Sequence, residues 1–418
     1  MTKCSFCQNH LKHKVLDLGL SPLANGYIND KKRIKYEKSY PLQLYFCNKC
    51  KLVQTSKKLP SKIVFQKDYS YLSSTSKTWI DHCKKYFDKI TKKLKLNKTS
   101  FVLEIASNDG YLLNFFNKAK IPNLGIEPTL FTSRVAKKKG IKVINDFFSL
   151  SLAKKLAKKL DKIDLIVANN VIAHIPDLNN FVQGLSLLIN KYQSIATLEF
   201  QYLKNLIEKN QFDTIYHEHY FYYSLLSINN ILTHHNLKII DVEKLETHGG
   251  SLRLYVAPKN KKIRSEFDIK NFIKVQKNEK INKIGTLNYY KKFQFKTDQS
   301  KKKFIEFLKR NKSKKIFAYG AAAKGNTFLN FIKTNSNFIK TNSNFIECIF
   351  DQSKLKIGKY LPGTHIPILD PKKIKKFDFD ILLIMPWNIK NEIIKKYKHE
   401  IPKKAKFISI SKFLSYGK

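Results

Sequence analysis

Between residues 101 and 200, short apolar runs alternate with helix-patterned segments, and this alternation leaves few folds open to the chain. Phe101–Ala106 is followed by the amphipathic stretch YLLNFFNKA, and then come Asn123–Glu127, Ile141–Asn145, Ile163–Asn169 and Ser194–Phe200. Short β-runs separated by helices need crossover connections, so the spacing predicts a parallel sheet covered on both faces. Two later runs, Leu237–Leu245 and Ser251–Ala257, are joined only by ETHGG. That link is too short for a helical crossover, so the pair is expected to be antiparallel.

Upstream, Trp79, Cys83, Phe87, Ile90 and Leu94 recur at helical spacing. Residues 259–303 are lysine-rich and helical in pattern, and read as linker helices. A second α/β unit follows, with strand-like runs at Lys314–Gly320, Asn344–Asp351, Phe379–Pro386 and Lys404–Ser411. It has the pattern of a smaller Rossmann-like domain. Inside it, Asn330–Ser336 and Asn337–Ser343 are both NFIKTNS. Two copies are too few for a solenoid, so an in-frame duplication on the surface is expected.

Four of the six cysteines form two knuckles, Cys4-x-x-Cys7 and Cys47-x-x-Cys50. Each CxxC turn aims two thiolates at one metal, and two such turns complete a closed, structural zinc site. The same spacing leaves open a redox CxxC pair, or His10 or His13 as ligands. PLANGYIND and SYPLQLYF, between the knuckles, are expected to form a small β unit. Cys83 and Cys348 lie among apolar residues and read as core. The opening MTKCSFCQNH has no apolar signal region, and no run of 18 apolar residues occurs. The expectation is a cytoplasmic protein with no membrane span.

The formal charge of +47 invites a nucleic-acid reading. Only five of the 79 basic residues are arginines, however, and the lysines are spread evenly. Base reading and bidentate phosphate clamping favour the Arg fork, so the charge reads as compositional background and no nucleic-acid partner is expected.

Chemistry concentrates at three places. The turn Glu104-Ile-Ala106-Ser107-Asn108-Asp109-Gly110 closes the first strand, where backbone N–H groups can approach a cofactor, and Glu127 closes the next, placed for ribose hydroxyls. It is not GxGxxG, so no dinucleotide pyrophosphate cradle is visible. The second place is Tyr216-His217-Glu218-His219-Tyr220. It is not HExxH, and a metal site lacks a third ligand nearby. If extended, it puts His217 and His219 on one face and Glu218 on the other. An imidazole near neutral pKa suits removal of a proton α to a carbonyl. The third is Tyr319-Gly320-Ala321-Ala322-Ala323-Lys324-Gly325-Asn326-Thr327, small residues at a helix start that can meet an anion. Each has a plain alternative as an ordinary turn or loop.

Taken in order, the CxxC…CxxC with SPLANGY, EIASNDGYLL, GIEP, NNVIAHIPD, EFQYL…FDTIYHEHY, THGGSLRLYV, YGAAAKGNTFLN and KLKIGKYLPGTHIPI resemble the sugar C-methyltransferases of nucleotide-linked keto deoxysugars. Five parallel strands closed by an antiparallel hairpin are also the arrangement of class I S-adenosylmethionine methyltransferases. The resemblance covers essentially the whole chain; the NFIKTNS copy and the lysine load depart from it without touching a motif. It implies an α/β protein with a zinc-binding domain (1–72), a class I, Rossmann-like methyltransferase domain (73–258), and linker helices with a Rossmann-like nucleotide-sugar domain (259–418). The implied cofactors are S-adenosylmethionine, held by Glu104, Ala106, Ser107, Asn108, Asp109, Gly110, Glu127, Asn169 and Asn170, and zinc on Cys4, Cys7, Cys47 and Cys50.

The implied reaction removes the C3 proton of a dTDP- or GDP-linked 4-keto sugar, and the enolate takes the methyl group. His219 is then the base and Glu218 orients or tunes it, while Tyr216, Tyr69 and His174 position substrate or stabilise the enolate. Tyr319, Gly320, Ala321, Lys324, Gly325, Asn326, Asp351, Lys356 and His365 would hold the nucleotide. Methylation at oxygen or nitrogen of another small molecule is the alternative; an RNA-modifying protein and a catalytically silent sugar binder are the others. Deleting one NFIKTNS copy is expected to leave melting temperature and turnover unchanged; a variant that melts earlier would show that the second copy is required.

Overall fold

The computed structural model describes residues 2–56, 59–64, 72–262, 265–333 and 345–414. Near the N-terminus, β1 (His13–Pro22), β2 (Ser39–Phe46) and β3 (Val53–Thr55) form an antiparallel meander. In β2, Leu42, Leu44 and Phe46 alternate inward, as a strand with one wet face requires. SYPLQLYF is therefore strand, but its partner is His13–Pro22; PLANGYIND leaves the sheet, turning at Gly26, whose N–H donates to the Leu23 carbonyl (3.0 Å).

The central sheet contains β4 (Val102–Ile105), β5 (Asn123–Ile126), β6 (Val143–Ile144), β7 (Leu165–Asn169) and β8 (Ile195–Gln201), all parallel where they pair. The short strand β9 (Phe221–Tyr222) follows, and then the antiparallel pair β10 (Leu237–Leu245) and β11 (Ser251–Pro258). The seven-stranded order is β10-β11-β8-β7-β4-β5-β6, the class I methyltransferase arrangement. Because β4 and β7 are neighbours, their carboxyl ends bring Ala106 and Asn170 side by side. β9 leaves this sheet and pairs with β3, Val53 opposite Tyr222, so the segment after the histidines is the fourth strand of the N-terminal sheet.

The C-terminal sheet is wholly parallel, with β12 (Ile316–Tyr319), β13 (Ile346–Phe350), β14 (Ile368–Leu369), β15 (Ile381–Ile384) and β16 (Lys406–Ser409) in the order β14-β13-β12-β15-β16. Two residues between Pro367 and Asp370 carry no periodicity, which is why β14 escapes a sequence reading.

The expected linker helices do form, at Ile269–Ile281, Leu287–Tyr290 and Phe293–Arg310, but they do more than link. Phe293, Thr297, Ser300, Phe304 and Leu308 make one buried stripe, and its apolar members pack in a core shared with β1, β12 and β15. Glu279, buried on the first of these helices, accepts from the Leu225 and Leu226 N–H groups at a helix start (2.6 and 2.8 Å) and from the Tyr202 hydroxyl (2.8 Å).

The surface expectation for NFIKTNS fails at its beginning. Asn330, Phe331 and Ile332 end the helix Ala323–Lys333 and are buried, because that helix turns its apolar side onto Phe212. Residues 334–343 of the repeat lie outside the described residues. Phe212 itself is fully buried, with ring centroids 5.8 Å from Phe328 and 5.2 Å from Phe331. Phe212→Ala is expected to lower unfolding free energy by about 3–5 kcal/mol, read by urea titration, because a large ring leaves a cavity between two sheets.

Candidate functional site

The turn after β4 is built from left-handed residues: Ala106, Asn108 and Gly110 have φ of 57°, 49° and 73°. At Gly110 the left-handed conformation favours glycine, and an added Cβ would lie 2.2 Å from Ile141 Cδ1, which would have to move aside. Glu127 caps the turn, accepting from the Asn108 N–H (2.9 Å) through Oε2 and from the Thr129 N–H and Thr132 hydroxyl (both 2.9 Å) through Oε1. From upstream, Ser73 N–H donates to Asn108 Oδ1 (3.0 Å) and the Ser74 hydroxyl donates to Asp109 Oδ2.

Five buried polar atoms here have no partner among the described residues: Glu104 Oε2, Ser107 Oγ, Asp109 Oδ1, Asn169 Oδ1 and Asn170 Nδ2. Buried polar groups are normally satisfied, so orphans clustered at two adjacent strand ends mark a ligand position. Burial, then the Glu127 and Asp109 charges, push the Glu104 carboxyl well above the usual carboxylate range. Burial also raises Glu127. An acceptor-rich set suits a ligand bearing an ammonium and ribose hydroxyls, which is what S-adenosylmethionine presents.

The histidine segment is a turn, not an extended strand. The His219 N–H donates to the Tyr216 carbonyl (2.9 Å), so the two histidines do not share a face. His217 packs edge-on against Tyr40, ring centroids 5.9 Å apart, while His219 meets His174 at 4.6 Å and Tyr216 at 4.0 Å. His219 Nδ1 donates to the Thr214 carbonyl and His174 Nδ1 to the Glu218 carbonyl, both at 2.9 Å. A carbonyl only accepts, so both imidazoles carry their proton on Nδ1 and present Nε2 as a lone pair. Burial holds His174 down to about 4; burial and the adjacent His174 hold His219 well below the ordinary histidine value.

The Glu218 carboxylate turns away from His219, toward Asn25 Nδ2, which donates to both its oxygens (2.8 and 2.7 Å). Glu218 thus orients His174 through its backbone, and its buried side chain is pushed up to about 7 by burial. Tyr69 lies outside the described residues.

Of the nucleotide candidates, Gly320 has φ of 92° and packs against Pro386, and the Ala321 N–H donates to Asp351 (2.8 Å). Lys356 bonds the Ala321 carbonyl (2.8 Å) beside Asp351 (3.7 Å). Three others are engaged with protein: the Tyr319 hydroxyl meets Tyr397 (3.0 Å), Asn326 Nδ2 donates to the Ala24 carbonyl (2.9 Å), and His365 pairs with Glu37 (2.8 Å). At Gly325 a Cβ would press on Met385 at 2.7 Å. Lys324 leaves this loop and lies over the Trp387 ring, 4.7 Å from its centroid.

A buried charge network escapes the motif reading. Arg253 donates to Glu199 (2.6 Å) and Glu243 (3.1 Å), and His82 joins at 3.1 Å from Glu199, beside a small cavity that also touches Trp79, Tyr111 and Asn169. The signal was present: Glu199 and Arg253 interrupt apolar strands, and charges there must pair.

The four cysteine Sγ atoms lie within 4.8 Å of one another. Cys4 is 3.5 Å from Cys50 and Cys7 is 3.5 Å from Cys47. A tetrahedral zinc with bonds of about 2.3 Å needs sulfurs about 3.8 Å apart, so the residues fit the metal. Both knuckles fold alike: Gln8 and Lys51 each follow the second cysteine with positive φ (58° and 67°), and each N–H returns to the first cysteine's carbonyl (3.0 and 2.8 Å). His10 and His13 are not in the cluster.

Three family models match the chain in sequence: a zinc binding domain over residues 4–65, a methyltransferase domain over 79–242, and a C-methyltransferase C-terminal domain over 246–410. Together these matches run from residue 4 to 410, and they make the chain a methyltransferase with the domains of a C-methyltransferase. It is 28% identical to the C-methyltransferase NovU of Streptomyces niveus over 409 residues, covering 97% of this chain and 94% of that one. Among solved structures, magnesium protoporphyrin IX methyltransferase of Synechocystis PCC 6803 matches 43% of this chain and 81% of its own, at 14% identity and a TM-score of 0.32. The PH0226 protein of Pyrococcus horikoshii OT3 matches 45% and 95%, at 14% identity and 0.36. No described helix of this methyltransferase is long and apolar enough to cross a membrane.

Cys47→Ser is expected to reduce bound zinc below one equivalent and lower the melting temperature by several degrees, read by metal analysis and calorimetry, because ligand loss removes folding free energy.

Proposed function

We propose that this methyltransferase transfers a methyl group to C3 of a 4-keto deoxysugar carried on a nucleoside diphosphate, dTDP or GDP, with His219 as the base. The supporting observation is the Thr214 carbonyl on His219 Nδ1 (2.9 Å), which leaves Nε2 as the basic atom, with no partner among the described residues. A depressed pKa keeps that imidazole neutral at pH 7, ready to accept the proton α to the ketone. His174, four residues beyond Asn170, links the base to the cofactor turns.

When bound, S-adenosylmethionine supplies an electrophilic methyl on a cationic sulfur. Glu104, Ala106 to Gly110, Glu127, Asn169 and Asn170 would hold it. Tyr216, whose ring lies tilted against His219, and Tyr69 would position the sugar. The loop from Gly320, with Ala321, Asp351 and Lys356, would hold the diphosphate. The work divides among residues 1–72, 73–258 and 259–418, with zinc maintaining the first.

His219→Ala is expected to slow C3 hydrogen–deuterium exchange and methyl transfer by about a thousandfold. Affinity for S-adenosylhomocysteine, measured by calorimetry, should not change. Wild-type exchange in the variant would remove His219 from the role of base.

A further inference from the structure

Lys324 is the second residue of the helix Ala323–Lys333 in the C-terminal domain, at the loop where a phosphate ligand is expected. It lies over the Trp387 ring, and the nearest polar contact it makes is Asn388 Oδ1 at 3.4 Å. No carboxylate pairs with it within 4.0 Å among the described residues. The Trp387 indole N–H donates to Asp213 Oδ2 (2.6 Å). Asp213 stands in the same helical turn, Phe212–Thr214, whose Thr214 carbonyl holds His219. One chain of contacts therefore runs from Lys324 through Trp387 and Asp213 to the base.

We propose that Lys324 is a catalytic residue of the methyltransferase: its ammonium meets the C4 oxygen of the keto sugar and holds the charge that develops there as His219 takes the C3 proton. This assignment rests on the enolate reading above. In the step, the C3–H bond breaks and its proton passes to His219 Nε2. The electron pair forms the C3–C4 double bond, and the carbonyl π pair moves onto oxygen. Lys324 keeps its three protons and donates one in a hydrogen bond.

The chemistry calls for such a group. A half-buried imidazole of low basicity is a poor match for a C–H acid unless the enolate is stabilised where it forms. Burial lowers the Lys324 pKa while the Asp213 charge opposes, and the Lys324 charge in turn depresses His219 and His248. A half-buried ammonium with no carboxylate partner among the described residues has more to gain from an oxyanion than a fully hydrated surface lysine. Asp213 Oδ1, buried and unpartnered among the described residues, keeps a neutralising carboxylate at hand without forming a closed ion pair.

The test uses the full chain with zinc, dTDP- and GDP-linked 4-keto-6-deoxyhexoses, and S-adenosylhomocysteine to fill the cofactor site without turnover. C3 exchange in deuterated water is followed by NMR, and nucleotide-sugar affinity by calorimetry. Lys324→Met should slow exchange at saturation by about a hundredfold, with affinity changed by less than about threefold. Lys324→Arg, which retains the charge, should recover part of the rate and guards against misfolding of the methionine variant. Weaker binding with an unchanged exchange rate at saturation would make Lys324 a phosphate ligand and overturn the proposal, as would unchanged exchange in both variants. No exchange by the wild-type protein with either sugar would sink the enolate reading, and the Lys324 assignment with it.

Discussion

The arrangement turns on one hydrogen bond, from His219 Nδ1 to the Thr214 carbonyl at 2.9 Å. It selects the tautomer, aims Nε2, and fixes the ring against His174 and Tyr216. A bond of this kind contributes only about 1 kcal/mol net. Its precision comes from what immobilises the turn. Phe212 is clamped against the helix Ala323–Lys333, the Tyr220 N–H reaches the Ala173 carbonyl (2.8 Å), and β9 adds itself to the N-terminal sheet. Each sheet thus holds one side of a short segment that could not hold itself.

The zinc cluster belongs to this logic although it lies outside the chemistry. It fixes the β-meander that receives β9 and from which Ala24, Asn25 and Tyr27 reach the other domains. Ala24 accepts from Asn326, Asn25 donates to Glu218, and the Tyr27 hydroxyl donates to the Ala321 carbonyl (2.6 Å). PLANGY leaves the sheet because its side chains and carbonyls are used between domains.

The net charge of +47 explains little of this. The charges with structural consequences are the few that burial forces into pairs. Arg253, 3% exposed between Glu199 and Glu243, shows the rule: desolvated ions persist only with partners, and losing one would strand two carboxylates. Lys324 is set apart from the many solvated lysines by where it lies, half-buried over the Trp387 ring that is hydrogen-bonded to Asp213.

Much of the fold was legible in the sequence, because hydrophobic period and connection length are local properties. The alternation from Phe101 to Phe200, the short ETHGG link and the paired knuckles determined the central sheet, its closing hairpin and the four-cysteine cluster. The residue types of the candidate site were legible too, since EIASNDG and YHEHY gather groups able to carry chemistry at short range. Their directions were not. Whether Tyr216–Tyr220 turned or extended, where the Glu218 carboxylate pointed, and which way Lys324 left its helix depended on partners at Thr214, Asn25 and Trp387. Of these, only Thr214 is near in the chain; Asn25 belongs to another domain than Glu218, and Trp387 stands 63 residues beyond Lys324. Only the tertiary structure decided them, because a side chain's orientation and ionisation follow from the groups packed around it, and packing brings those together without regard to sequence distance.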